Sequence, residues 1–161
     1  MSDRVVSNQL KMGENWRVAM SALANLFLTT HRTFAQATPV GPTELLIYVT
    51  VSVANVQKLM RERAIPPGFA ATDILPREWV VPISRNAIAT ASGLPRETVR
   101  RHVAQMIATG LLIEDPRGGV TVPIGVIKDR GLEPMLEALL TDFARSAEAL
   151  LRIGVIEIQK D

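Results

Sequence analysis

A chain of 161 residues has the length of one domain, or of one domain with an added element, at roughly 100 to 200 residues per domain. Hydrophobic residues make up 47% and charged residues 21%, a globular balance that excludes a wholly disordered or fibrous chain. With no cysteine, and with His31 and His102 far apart as its two histidines, the sequence excludes disulfides, zinc–thiolate sites, thiol nucleophiles and any compact histidine cluster. Neither a cofactor nor an enzymatic activity is expected from such a chain.

The first residues carry Arg4, Lys11 and Arg17 ahead of an apolar run from Val18 to Leu28. Asp3 and Glu14 break the positive stretch and Asn25 breaks the run, so a signal peptide is not expected. No stretch reaches the roughly 18 uncharged apolar residues of a membrane span, and the expectation is a cytoplasmic protein with no membrane contact. From Glu14 to Phe34, apolar residues recur at helical spacing (Trp16, Met20, Leu23, Phe27), which predicts one long amphipathic helix. Two prolines and a glycine between Gln36 and Pro42 end it.

A second helix is predicted from Thr43 to Arg63, with Thr43 and Glu44 as its cap and first-turn acid. Alternation of Leu45, Ile47, Val49, Val51 and Val53 also fits a strand, but the pattern runs on through Val56, Leu59 and Met60, too far for a strand. Residues 64–82 hold four prolines and read as a loop, with a short extended piece at Trp79–Ile83. Ser84 caps a short helix that stops at Gly93, and Pro95 opens another that ends at Gly110. Two β-prone runs, Leu111–Glu114 and Val120–Pro123, flank turn chemistry at Asp115-Pro116-Arg117-Gly118-Gly119. Finally, Leu132, Leu136, Leu139, Phe143, Ala147 and Leu150 mark a C-terminal helix. Its stripe needs a partner, either the first helix of the same chain or a second copy, and the second copy is the expectation.

The sequence therefore predicts a mainly α fold, a winged helix-turn-helix with a small β-hairpin wing and long flanking helices, compact as a single domain overall. Its parts are N-terminal helices over 1–63 for packing or dimerisation, the loop 64–82, the winged region 83–123, and a dimerising C-terminal helix over 124–161. Between Ser84 and Gly119 there are five arginines against three acidic residues, a basic excess of the kind that meets phosphates. In the helix after Pro95, successive steps of about 100° put Val99, Val103, Met106 and Ile107 on one side and Arg96, Glu97, Arg100 and Arg101 on the other. A charged face is most often simply solvated; arginines at the start of a helix that follows a tight turn also fit the helix that reads base edges in the major groove. The turn itself needs small Ala89 where the helices cross and a positive φ at Gly93.

The segment Gly93-Leu94-Pro95-Arg96-Glu97-Thr98-Val99-Arg100-Arg101, with Ile88 and Ala89 before it, closely resembles the recognition segment of the Crp/Fnr family of bacterial transcription regulators. That resemblance implies that Arg96, Glu97 and Arg101 touch bases; Arg suits guanine O6 and N7, and Glu can accept from cytosine N4. It covers Ile83–Val122 only. Two apolar helices stand where that family has a cyclic-nucleotide barrel, so no nucleotide sensing is implied, and Pro95 replaces the usual Ser. The order of long helices around a winged core resembles the MarR group of dimeric regulators. Ser84, Arg85, Asn86 and Thr98 are placed for phosphates, and Arg117 at the wing tip for a minor groove or the backbone. The expected function is sequence-specific binding of double-stranded DNA as a homodimer, in transcription regulation, with Arg96, Glu97, Arg100 and Arg101 as base contacts. The alternative is a winged-helix module that binds an acidic protein without DNA. The helices Trp16–Phe34 and Leu45–Met60 predict plain core or an enclosure for a small hydrophobic effector.

Overall fold

The computed structural model describes residues 3–37, 40–62, 68–69, 75–125 and 133–160. The protein is mainly helical, with six α-helices and two small antiparallel sheets among the described residues. In chain order the elements are β1 (Arg4–Ser7), α1 (Gln9–Ala37), α2 (Pro42–Asn55), α3 (Gln57–Met60), a 3₁₀ turn (Arg77–Trp79), α4 (Arg85–Ser92), α5 (Arg96–Ala108), β2 (Ile113–Glu114), β3 (Val120–Thr121), α6 (Glu133–Arg152) and β4 (Ile156–Gln159).

These elements divide into two compact units rather than the single domain expected from the sequence. One holds β1, α1, α6 and β4; the other holds α2 to β3. The two N-terminal helices, expected to pack as one block, fall in different units because each finds its apolar partners elsewhere. The pair expected to enclose a hydrophobic effector is divided in the same way.

In the first unit, β1 pairs antiparallel with β4 in the register Arg4↔Gln159 to Ser7↔Ile156. Since β1 leads into α1 and α6 leads into β4, the two helices run antiparallel. Ala19 is buried against Leu150 and Val155, with Ala22, Ile153 and Ile156 packed alongside. Small residues at this line let the helices approach closely. The C-terminal helix thus packs on the first helix of its own chain, one of the two partners expected for its stripe. Leu139 and Leu150 turn inward, whereas Leu136 and Phe143 are exposed; Leu132 lies outside the described residues. α1 is longer than predicted and kinks at Asn15, where φ is −123° and the side-chain amide donates to the Lys11 carbonyl at 3.0 Å.

In the second unit, the helical reading of residues 43–63 holds as far as Asn55, after which Val56 breaks the helix and α3 adds one turn. The start is earlier than predicted. Pro42 occupies the first helical position, and the Gly41 N–H donates to Glu44 Oε2 at 2.8 Å, so Glu44 caps the helix from its first turn. The core joins Ile47, Tyr48 and Val51 of α2 to Ile88 and Ala89 of α4, Val99, Val103 and Met106 of α5, and Leu112 and Val120 of the hairpin. Eight of its side chains are almost fully buried, and at about 1.5–3 kcal/mol per buried aliphatic this is the main force holding the unit.

Buried Asn55 fastens the end of α2 to this core: its Nδ2 donates to the Val81 carbonyl at 2.8 Å, and its Oδ1 accepts from Val122 N at 2.9 Å. β2 and β3 pair as Ile113↔Thr121 and Glu114↔Val120, and Ile83 adds an antiparallel bridge to Val120. At Gly119 φ is +86° and a Cβ would stand 2.6 Å from the Ile83 carbonyl oxygen, so only glycine lets the two segments approach.

Candidate nucleic-acid interface

The site is built from local rules. Ser84 sits in extended conformation and its Oγ accepts from Ala87 N at 3.2 Å, which caps α4. α4 ends at Gly93, whose φ of +71° is the left-handed conformation the sequence requires there. Pro95 is the N-cap of α5, and its carbonyl accepts from Val99 N at 3.0 Å; no side chain caps this helix. Val99, Val103 and Met106 are buried and fix the rotation of α5, so Arg96, Glu97, Arg100 and Arg101 all face outward. Ala89 is buried, as the helix crossing needs.

Six of the nine expected contact residues, Ser84, Arg85, Asn86, Arg96, Glu97 and Arg100, line one open groove of about 500 Å³ together with Gly119. Arg101, Thr98 and Arg117 lie outside it. Electrostatics sorts the charged members into two kinds. Arg100 and Glu97 form a two-pronged pair, with Nε to Oε2 at 2.8 Å and Nη2 to Oε1 at 2.6 Å. That hydrogen bonding holds the Glu97 carboxyl below its ordinary range and raises Arg100 further. Both side chains are exposed, so the pair adds little to stability. Arg85 pairs with Glu114 on β2. Arg96 and Arg101 are exposed and make no ion pair among the described residues.

Arg117 departs from its expected place as a free wing-tip cation. Its Nε and Nη2 donate to the two carboxylate oxygens of Asp115, each at 3.0 Å, Nη2 donates also to the Val80 carbonyl at 3.0 Å, and Nη1 donates to the Arg77 carbonyl at 3.1 Å. The reason is Asp115, whose side chain is 3% exposed. A buried carboxylate must be paired and fully hydrogen-bonded. Arg117 supplies side-chain and backbone hydrogen bonds and Arg77 a further ion pair, which together hold the Asp115 carboxyl far below the usual carboxylate range. Arg117 therefore clamps the β2–β3 turn against the chain at 77–80.

His102 is partly buried, and its Nδ1 donates to Glu44 Oε1 at 3.1 Å, tying α5 to the start of α2. Glu44 ties α5 to α2, and Asn55 ties α2 to the segments at Val81 and Val122; neither was singled out for this in the sequence, where the signal would have been the capping acid for one and nothing local for the other.

No group of three or more histidine, cysteine, aspartate or glutamate residues that could hold a metal occurs among the described residues. No helix among them is long and apolar enough to cross a membrane. Comparison with protein-family models, with curated proteins and with solved structures returned no match.

Proposed function

We propose that this chain is a winged helix-turn-helix protein that binds double-stranded DNA sequence-specifically, as a homodimer, to regulate transcription. In this reading α4 and α5 are the two helices of the motif, α5 enters the major groove, and Ile83 with β2 and β3 forms the wing. The observation that carries it is the outward face of α5, where Arg96 and Arg101 stand exposed, with no ion pair among the described residues, beside a groove lined by the start of α4. A helix about 10–12 Å across fits a major groove about 12 Å wide.

Arg96 and Arg101 have the planar fork that reads guanine O6 and N7. Glu97 reaches a cytosine N4 when Arg100 swings from it to a phosphate. Ser84, Asn86 and the half-buried Thr98 offer hydrogen bonds to the backbone, and Arg85 keeps charge near it while paired with Glu114. Arg117 shapes the wing rather than touching DNA.

The test is binding of cognate and random duplexes by variants. Arg101→Ala is expected to lower discrimination by about 1–3 kcal/mol. Arg85→Ala is expected to weaken both duplexes alike and to flatten the salt dependence by about one unit of slope. Equal losses on both duplexes for Arg101→Ala contradict the assignment.

A second reading, a module that meets an acidic protein without DNA, draws support from the Glu97–Arg100 and Arg85–Glu114 pairs, which cancel part of the cationic charge. A mobility shift on genomic fragments at moderate salt separates the two: retardation supports DNA, and its absence supports the module.

A further inference from the structure

The helical hairpin of the first unit leaves apolar residues uncovered in an ordered way. In α1 the less exposed row is Asn15, Ala19, Ala22 and Leu26, which turns toward α6. The row one position further on, Trp16, Met20, Leu23 and Phe27, is more than half exposed at every residue. α6 repeats the pattern. Leu139, Asp142 and Ser146 are its less exposed row, and Leu140 and Phe143 stand one position beyond the first two, with Leu136 a turn earlier.

One position is a rotation of about 100°. In both helices the exposed row is thus displaced from the contact line in the same rotational sense. Because the helices are antiparallel, equal rotations carry both rows to the same side of the two-helix layer. The layer therefore has one largely apolar side with three aromatic rings, of which Trp16 has the Arg17 guanidinium 5.3 Å from its centroid and Phe27 stacks on His31 at 6.4 Å. Neither row contains an Asp, Glu, Lys or Arg. Single apolar residues elsewhere on α1, such as Val18 and Leu28, need no partner.

We infer that this side is where a second copy of the chain docks, giving a two-fold core of four helices, α1 and α6 from each copy. The size fits: a stable interface takes about 800 Å² from each partner, and three large aromatics at about 150–250 Å² each, over half exposed here with four long aliphatics, supply area of that order. The rows themselves hold no charge, and Arg17 at their edge lies on the Trp16 face; this suits self-association, since a two-fold contact sets each patch against its own copy and like charges within it would meet. The inference deepens the dimeric part of the proposed function by naming its surface. Its test contains no DNA, so its failure leaves the reading of α5 standing and the reverse also holds.

Sedimentation over a range of concentrations is expected to give twice the chain mass of 17.6 kDa. The double variant Phe27→Glu with Phe143→Glu is expected to raise the dimer dissociation constant at least a hundredfold while the helical circular dichroism is kept. Ser21→Glu, exposed on the far side of α1, is expected to leave the dimer unchanged. Because the chain has no cysteine, milder probes guard against misfolding of the double variant. Met20→Cys or Leu140→Cys is expected to cross-link between copies under a short bifunctional maleimide, and Ser21→Cys is not. A monomer at all concentrations overturns the inference, including one that instead sediments with lipid vesicles. A dimer that survives the double variant, or cross-linking from Ser21→Cys alone, overturns it too.

Discussion

In the proposed DNA-binding role, Glu97 is the residue at which the balance between affinity and discrimination is set. Its carboxylate takes both prongs of Arg100, so in the free protein it withholds one cation from phosphates and adds a negative charge to the face. Removing it has two separable consequences. On random duplex, where no cytosine N4 draws Glu97 away from Arg100, Glu97→Ala is expected to tighten binding and to steepen the plot of log affinity against log salt by about one unit, as Arg100 is freed to neutralise one more phosphate. Discrimination between cognate and random sequence is expected to fall in the same variant. Salt titrations on both duplexes measure this; an unchanged slope with unchanged discrimination would mean that Glu97 faces solvent only. The sequence placed Glu97 on the correct face because helical phase is local. It did not foretell the pairing with Arg100, or the inward turn of Arg117. That turn is set by a buried Asp115 and by carbonyls nearly 40 residues away.

Among elements, α4, the Gly93 turn and α5 were legible almost to the residue. Their signals are a cap, a left-handed glycine and an apolar phase, all within a few positions. The β1–β4 pair was not legible. Each strand has four residues, and their pairing joins the two ends of the chain, where no turn chemistry links them. The long apolar stripe of α6 was seen, but its division between an inward and an outward row depends on where α1 lies, which periodicity does not state. The second unit also rests on non-local polar contacts, of which Asn55, joining the end of α2 to the segments at Val81 and Val122, is the clearest. Asn55→Ala leaves the Val81 carbonyl and the Val122 N–H without their partner in a buried site. Thermal or denaturant unfolding is expected to show a loss of about 1–3 kcal/mol. A loss within experimental error would mean that water replaces both bonds at no cost.

At the scale of the molecule, two units share the work. The unit from α2 to β3 carries the cationic face of α5, and the unit of α1 and α6 carries the apolar side proposed for pairing. A two-fold pair of recognition helices reads two half-sites about one turn of DNA apart, so the proposed symmetric assembly calls for a symmetric site. In the proposed function, phosphate contacts would supply much of the affinity and no sequence information, and the α5 arginines would supply the discrimination. The most direct measurement is selection of bound duplexes from a random pool by the purified protein at fixed moderate salt. The account predicts enrichment of a two-fold symmetric site, its half-sites spaced by about one helical turn and rich in guanine where Arg96 and Arg101 reach. A bound pool no different from the input, or no retention of duplex at all, would contradict it.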